Sequence, residues 1–288
     1  MDITKYISVA RLNARLAGLV LTNRTFRHDD LARGYDSASN TYDAEWFYAL
    51  KPVTDQLLQI LPQFPPGEIY DLGCGTGYTT LTLAKRFHNY RINGIDLSLG
   101  MLTKAAQNCH CAFFHHADNL SFLSEQAAES AGGIVAAWSL GSSADLPDVL
   151  AECRRVLKKK GSLAFIINLA DSMAPVSNAF TKCMHRFPKK VSRALLPQYP
   201  KNWSVIENIL VKNSLKTVWR EEGIIDIKPR DPMRPLNWLL KTGVLAALEA
   251  ALPLRTDKET AEFFEQELLA SEVPLQHHFV AAIVQPDI

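Results

Sequence analysis

The sequence lacks a net charge of either sign and lacks paired cysteines. Among its 288 residues, 31 Lys and Arg balance 30 Asp and Glu, which gives a formal net charge of +1 at pH 7. Without a broad basic field, a nucleic acid is not an expected partner. The five cysteines form neither a CxxC zinc pattern nor a disulfide framework. No metal is therefore expected, and the chain fits a reducing, cytoplasmic compartment.

Long uninterrupted hydrophobic runs are absent as well. The first apolar segment, residues 7–21, is interrupted by Arg11 and Arg15, and residues 236–254 include Lys241. Neither segment predicts a membrane-spanning helix, and the first does not resemble a secretory signal. The basic N-terminal segment leaves two interpretations open, peripheral contact with a membrane surface or packing on the core.

Strand-like and helical patterns alternate between residues 68 and 169, which predicts a parallel sheet flanked by helices. The triplet Lys158–Lys160 followed by Gly161 has the cations and the glycine that favour a helix end. The predicted strands are residues 68–73, 91–98, 111–118, 132–140 and 161–169, and the predicted helices are residues 79–87, 100–109 and 146–160. Two mainly helical stretches, 171–222 and 235–272, then precede strand candidates at 223–229 and 277–285.

The motif DLGCGTG, residues 71–77, stands between the first predicted strand and its helix. Glycines at such a turn bring bare backbone against a ligand, and the helix N-terminus favours a negative group. The spacing is GxGxG followed by Tyr78, so the third glycine of a dinucleotide fingerprint is missing. No Gly-Lys-Ser/Thr follows, which excludes the P-loop pattern. The structural alternative is a tight turn without a ligand.

Three acids stand near the ends of the first three predicted strands. Asp71 would repel a pyrophosphate but suits the ammonium group of a ligand, and Asp96 can accept hydrogen bonds from ribose hydroxyls. Asp118 either accepts from an adenine amine or caps the following helix. An amino acid joined to adenosine satisfies all three acids, and S-adenosylmethionine has that shape.

Four motifs together resemble the class I S-adenosylmethionine-dependent methyltransferases. They are DLGCGTG, GIDLS followed by GML, the pair Ala117–Asp118, and ECRRVLKKKGSLAF, and the likeness covers residues 35–169. The segment YDSASNTYD, residues 35–43, is similar to the small-molecule branch that includes quinone and malonyl-carrier-protein methyltransferases. One departure is KKKGS before the fifth strand, where the family usually has Pro-Gly-Gly.

The resemblance implies an α/β, Rossmann-like fold with a seven-stranded, mostly parallel sheet and an antiparallel last strand. Residues 1–65 are expected to form a helical N-terminal lid, and residues 66–288 the methyltransferase core. Substrate-cap insertions are expected at 171–222 and 229–276. The oligomeric state is not indicated.

The resemblance also implies a donor site across the carboxyl ends of strands one, two and four. Asp96 would hold the ribose, Met101 would pack on adenine or simply fill the core, and Asp118 with Asn119 would contact the adenine edge. Trp138 and Ser139 would lie near the sulfonium. The implied donor-binding residues are Asp71, Gly73, Cys74, Gly75, Gly77, Asp96, Leu97, Met101, Asp118, Asn119, Trp138 and Ser139.

The implied reaction is SN2 transfer of a methyl group, with S-adenosylhomocysteine as the product. The acceptor is a small, partly apolar metabolite or a carrier-bound acyl group, and its nucleophilic atom stays open. One alternative is an S-adenosylmethionine-binding enzyme that performs another transfer or a cyclisation; another is a non-catalytic member that binds a partner protein. No general base is assigned, and the candidates are Tyr35, Tyr42, His185, His277 and His278.

Two segments outside the core leave functional and structural interpretations open. Tyr35 and Tyr42 either cover the sulfonium by cation–π attraction or pack the lid on the sheet. The basic stretch at residues 184–203 either meets an acidic carrier, an anionic substrate or a lipid headgroup, or forms a solvated face.

Overall fold

A seven-stranded sheet organises the chain, as seen in a computed structural model that describes residues 3–140, 146–195 and 199–287, with side chains from residue 6 onwards. The strand order is β3-β2-β1-β4-β5-β7-β6. The strands are β1 (Glu68–Leu72), β2 (Ile92–Asp96), β3 (Phe113–His116), β4 (Ala131–Ala137), β5 (Leu157–Asn168), β6 (Leu215–Asp226) and β7 (Gln276–Pro286). Residues 1–2 of the expected lid and 196–198 of the first expected insertion lie outside the described residues.

The first five strands pair in parallel, and successive strands are added first on one side of β1 and then on the other. The chain runs from β1 to β2 and β3 on one side, then returns to β4 and β5 on the other. In open sheets of this kind, ligands bind outside the carboxyl ends of the strands at the point of reversal. That point lies between the ends of β1 and β4.

The last strand runs against its neighbour. β7 pairs antiparallel with β5, from Leu163 opposite Val284 to Asn168 opposite Phe279. The beginning of β7 therefore lies at the same sheet edge as the carboxyl end of β5. The predicted fold class, a mostly parallel seven-stranded sheet with an antiparallel last strand, is confirmed.

The helices and strands belong to two compact units. The helices are α1 (Ile3–Leu21), α2 (His28–Ala38), α3 (Tyr48–Gln59), α4 (Tyr78–Arg86), α5 (Leu99–Asn108), α6 (Asn119–Ser124), α7 (Leu146–Val156), α8 (Ala174–Arg186), α9 (Trp203–Lys212), α10 (Pro235–Leu239), α11 (Ala246–Ala251) and α12 (Lys258–Leu269). The sheet unit comprises Phe47–Ser172, Pro197–Ile225 and His277–Ile288, and the helical unit comprises Met1–Trp46, Met173–Leu196 and Asp226–Gln276.

One helix from the expected lid and one from the first expected insertion, α3 and α9, contribute to the packing of the sheet unit, and the expected domain boundaries stay a prediction. Leu57 and Leu58 of α3 pack in one core cluster of the sheet unit, and Ile206 and Leu210 of α9 pack in the other. The substrate-covering role of the remaining insertions stays a prediction.

Two boundaries predicted from local pattern are wrong. The helix expected over residues 146–160 ends at Val156, and Lys158–Lys160 lie in β5. Pairing of Leu157 with Ala131 starts the strand there, so sheet formation outweighs the helix-ending pattern. The stretch 215–222, expected as helix, belongs to β6, whose residues alternate between exposed and half-buried along most of the strand.

None of the helices within the described ranges combines the length and hydropathy needed to cross a bilayer.

Candidate functional site

The glycine loop, residues 73–77, joins β1 to α4, and its three glycines have different surroundings. Gly73, Gly75 and Gly77 all have positive φ, at 67°, 54° and 89°. A Cβ added to Gly73 would lie 2.3 Å from Cβ of Ser139, and one added to Gly77 would lie 2.9 Å from Cα of Ala105. Apart from Gly75 and its chain neighbours Cys74 and Thr76, no described residue has an atom within 4 Å of a Cβ placed on Gly75. The loop is therefore packed at both ends and open at its centre.

The carboxylate of Asp96 shapes this loop from the end of β2. One oxygen accepts a hydrogen bond from the Gly75 N–H at 2.8 Å, and the other accepts from the Ser98 N–H at 2.9 Å. The Cys74 N–H also donates to the Ile95 carbonyl at 2.8 Å. These bonds bring an anionic acceptor directly to the open centre of the loop.

Asp71, at the end of β1, is buried below the loop. Its side chain is 1% exposed and accepts a 2.5 Å hydrogen bond from the Thr80 hydroxyl. Burial raises the pKa of Asp71 to about 7, and the neighbouring Asp96 carboxylate adds to this effect. Burial also raises the pKa of the Cys74 thiol well above its ordinary value, so Cys74 is unsuited to act as a nucleophile.

We expect Asp71→Asn to flatten the dependence of stability on pH. The pKa of Asp71 rises from its ordinary value of 3.8 to about 7 in the folded chain. The folded state thus holds this proton more tightly, and the contribution to stability is lost as pH rises from about 4 to about 7. Urea unfolding across this range measures the difference between wild type and variant.

Groups that do not interact with Asp71 titrate equally in both proteins and cancel in that difference. Asp148→Asn, at an exposed position in α7, is the matched control for the loss of one carboxylate. Identical slopes in wild type and Asp71→Asn would contradict the assignment of a raised pKa to Asp71.

The predicted adenine side of the site lies on α5 and α6. Asp118 caps α6 by accepting from the Ser121 N–H at 2.9 Å, so the capping role left open by the sequence is observed. Asn119 is the first residue of that helix. Met101 is 1% exposed within α5, and the Leu97 carbonyl lies 3.0 Å from Nε2 of His116. Contact of these residues with adenine stays a prediction.

The tip of β4 brings together aromatic side chains from distant parts of the sheet unit. The Trp138 ring lies 5.3 Å from the His277 ring and 5.6 Å from the Phe279 ring, centroid to centroid. We call these three residues the aromatic cluster. Trp138 has a φ of 69°, an uncommon conformation for a residue with a side chain, and its indole N–H donates to the Thr54 hydroxyl at 3.0 Å. Backbone strain of this kind concentrates at functional sites.

Ser139, the next residue, connects the end of β4 to β1 by a hydrogen bond. The Ser139 hydroxyl donates to the Leu72 carbonyl at 2.5 Å. Because Leu72 ends β1 and Gly73 packs on Ser139, the predicted sulfonium-side residues Trp138 and Ser139 lie beside the glycine loop.

The two adjacent histidines of β7 have opposite environments. His277 is 6% exposed, and burial lowers its pKa to about 4, so the imidazole is neutral at physiological pH. Burial also lowers the pKa of His278, but hydrogen bonds to Asp171 and Glu222 outweigh that effect and raise it. Only His277 belongs to the aromatic cluster.

The sequence did not single out the residues by which α3 contacts the site. Thr54 is fully buried and binds Trp138, while Asp55 accepts a hydrogen bond from the Tyr78 hydroxyl. Lys51 pairs with Asp55 at 2.5 Å. Tyr78 begins α4 directly after the glycine loop, so α3 contacts both the loop side and the β4 side of the site. Adjacent polar residues in the helical segment LKPVTDQLL are the signal that pattern analysis could have used.

Three predicted base candidates belong to the helical unit. The Tyr35 and Tyr42 rings are 6.3 Å apart in an edge-to-face arrangement, and Tyr35 packs on Gly243, where an added Cβ would lie 2.7 Å from the ring. These contacts lie within the helical unit, and both interpretations of Tyr35 and Tyr42 stay predictions. His185, near the end of α8, accepts a hydrogen bond at its carbonyl from the Ser8 hydroxyl. Catalytic roles for these residues stay predictions.

Comparisons with known proteins agree with this geometry. A family profile described as "Methyltransferase domain" matches residues 69–161. A malonyl-acyl-carrier-protein O-methyltransferase of Halorhodospira halophila is 26% identical over 246 residues, covering 77% of this chain and 79% of that protein. A demethylmenaquinone methyltransferase of Thermotoga maritima is 29% identical over 165 residues, covering 55% of this chain and 66% of that protein. Two further malonyl-acyl-carrier-protein relatives are matched over 48% of their length.

A solved structure supports the fold independently. A (4+2)-cyclase superposes with a TM-score of 0.54 at 15% identity, covering 82% of this chain and 81% of that chain. At this identity the likeness concerns the fold alone.

Proposed function

We propose that this chain, which belongs to the class I S-adenosylmethionine-dependent methyltransferase superfamily, transfers a methyl group to a small, partly apolar metabolite or a carrier-bound acyl group. The observation that supports the site best is the open centre of the glycine loop at Gly75, beside the Asp96 carboxylate. A loop packed at both ends and open at its centre gives a ligand close access to backbone. A tight turn without a ligand would not require that opening.

The donor is proposed to lie across the ends of β1, β2 and β4. Asp96 would accept hydrogen bonds from the ribose hydroxyls, while the glycine loop would contact the methionine part. Because Asp71 is 1% exposed, its charge would act on the donor ammonium through the field rather than by direct contact. Leu97, Met101, Asp118 and Asn119 would surround adenine.

The aromatic cluster is proposed to form the acceptor side of the same site. The donor is chemically activated, so alignment and exclusion of water account for much of the rate. A carboxylate acceptor needs no general base at neutral pH, whereas a protonated nucleophile needs one. Neutral His277 is the candidate that the geometry favours for accepting such a proton.

The names of the relatives support this acceptor class, with matches to enzymes for malonyl-acyl-carrier protein and demethylmenaquinone. The basic stretch at residues 184–203 gives less support to carrier docking. Lys190 pairs with Asp257 and Glu259, and Arg193 pairs with Asp30. These two cations stabilise the helical unit, which favours a structural role for them.

Calorimetric titration with S-adenosylmethionine and S-adenosylhomocysteine tests the donor site, and we expect both to bind. Incubation with malonyl thioesters of a carrier protein and with reduced quinones then tests methyl release as S-adenosylhomocysteine. Well-folded protein that binds neither adenosyl ligand would contradict the proposal. Binding without methyl release to any acceptor would instead favour another transfer or a cyclisation in the same pocket.

Substitutions of the two adjacent histidines of β7 test the proposed role of His277 on the acceptor side. With an acceptor that is protonated at attack, we expect His277→Gln to lower kcat about 100-fold and leave donor binding unchanged. His278→Gln should change kcat little, because that ring is held by Asp171 and Glu222 outside the aromatic cluster. Equal effects of the two substitutions would contradict the assignment of His277.

A further inference from the structure

Two cysteine thiols lie in contact at the carboxyl end of α5. Sγ of Cys109 is 3.6 Å from Sγ of Cys111. Cys109 is 1% exposed, whereas Cys111 is exposed to solvent. The other three cysteines, Cys74, Cys153 and Cys183, are buried. The pair thus combines an accessible thiol with a shielded thiol within reach of it.

The end of α5 that precedes this pair is attached to the glycine loop. The Asn108 side-chain amide donates to the Thr76 carbonyl at 2.9 Å. Gly77 packs so closely on Ala105 that an added Cβ would lie 2.9 Å from the Ala105 backbone. The Cys109 N–H donates to the Ala105 carbonyl at 2.8 Å, which continues the helix into the pair. A change at Cys109 therefore acts on a segment in direct contact with the loop.

We propose that Cys109 and Cys111 form an oxidisable dithiol that reacts with low-molecular-weight disulfides and, once closed, loosens the glycine loop. The structural part of this proposal is independent of the enzyme's activity, and its effect on donor binding rests on the proposed function.

The chemistry proceeds in two balanced exchange steps. The Cys111 thiolate attacks one sulfur of the small disulfide, forms a mixed disulfide and releases one small thiolate. The Cys109 thiolate then attacks Sγ of Cys111 and expels the second small thiolate, and the two protons of the cysteine thiols pass to the two released thiolates. Cys111 is the entry point because it is exposed while Cys109 is buried, and burial also raises the pKa of Cys109.

Closure requires movement of the chain near the loop. A disulfide brings its sulfur atoms to about 2.05 Å, so the pair must close by roughly 1.5 Å. Because Asn108 and Ala105 contact the loop within the preceding turn, we expect that movement to weaken the contacts at Thr76 and Gly77.

The test treats purified protein with oxidised glutathione and measures two quantities. Intact mass and thiol counting report formation of the bond, which we expect in wild type and not in Cys111→Ser. Hydrogen exchange in peptides covering residues 71–78 reports the loop without any ligand, and we expect oxidation to speed this exchange in wild type and not in Cys111→Ser. Cys183→Ser, which removes a buried thiol of the helical unit, is the matched control and should behave as wild type.

Each outcome supports or overturns a defined part of the proposal. Stable mixed disulfides without closure would overturn the dithiol, and closure with unchanged exchange at residues 71–78 would overturn its coupling to the loop. With S-adenosylhomocysteine, we expect oxidation to weaken binding about fivefold. Reduced protein that fails to bind this ligand would instead contradict the proposed function. The mass and exchange results would still show whether the disulfide forms and whether it loosens the glycine loop.

Discussion

Replacing Asp96 by alanine is expected to weaken binding of S-adenosylhomocysteine by at least about 100-fold, because hydrogen bonds to a charged group contribute about 1.5–3 kcal/mol each. The carboxylate accepts from the Gly75 and Ser98 N–H groups, and we propose that it also accepts from the ribose. The substitution removes all of these acceptors at once. Isothermal calorimetry measures the dissociation constant.

Two effects of this substitution need to be separated, loss of ribose contact and loosening of the loop. A S-adenosylhomocysteine analogue without ribose hydroxyls should bind wild type much more weakly than the natural ligand. It should bind Asp96→Ala no differently from the natural ligand, because the acceptor is already gone. Asp148→Ala, an exposed carboxylate in α7 of the same unit, should leave binding unchanged. An equal penalty for the analogue in wild type and Asp96→Ala would contradict ribose contact.

Gly73→Ala is expected mainly to lower the stability of the fold, whereas Gly75→Ala is expected mainly to weaken donor binding. At Gly73 the new Cβ would lie 2.3 Å from Cβ of Ser139, in a backbone with φ of 67°. Overpacking and left-handed strain together should cost about 3 kcal/mol of unfolding free energy. At Gly75 only the strain, about 1–2 kcal/mol, opposes folding. The Gly75→Ala methyl group instead occupies the open centre of the loop and should weaken donor binding about tenfold.

Urea unfolding and ligand titration on both variants check this difference. Removing the opposing side chain should restore part of the lost stability, so Gly73→Ala combined with Ser139→Gly is expected to be more stable than Gly73→Ala alone. If Gly75→Ala unfolds as readily as Gly73→Ala and binds the donor normally when folded, the centre of the loop does not face the ligand.

Much of the sheet was predictable because its residues follow local rules. Continuous apolar runs and turn residues identify β1, β2 and β4, and the chain order of the acids indicates the sheet edge at which we propose the site. The helix end predicted at Lys158–Lys160 failed because pairing with β4 is a long-range interaction that local pattern does not contain. The different surroundings of Gly73, Gly75 and Gly77 were likewise hidden, since they depend on Ser139 and Ala105.

The proposed acceptor side was less predictable than the proposed donor side. His277 and His278 are adjacent and chemically identical in the sequence, and only the arrangement of β7 separates their roles. The hydrogen bond between Trp138 and Thr54 joins residues from separate segments of the chain. A short motif cannot encode such a contact, whereas it does encode a glycine turn.

The antiparallel placement of β7 also sets the order in which a ribosome delivers the parts of this site. Emergence of the nascent chain through β5 supplies the glycine loop, Asp96 and Trp138, but His277 and Phe279, the other two members of the aromatic cluster, are still to be synthesised. Domains begin to organise from the N-terminal side during translation, and contacts between distant segments form slowly. The proposed donor side of the sheet is thus available for folding before the proposed acceptor side is complete. Until β7 arrives, the edge of β5 that it will cover is an unpaired strand edge.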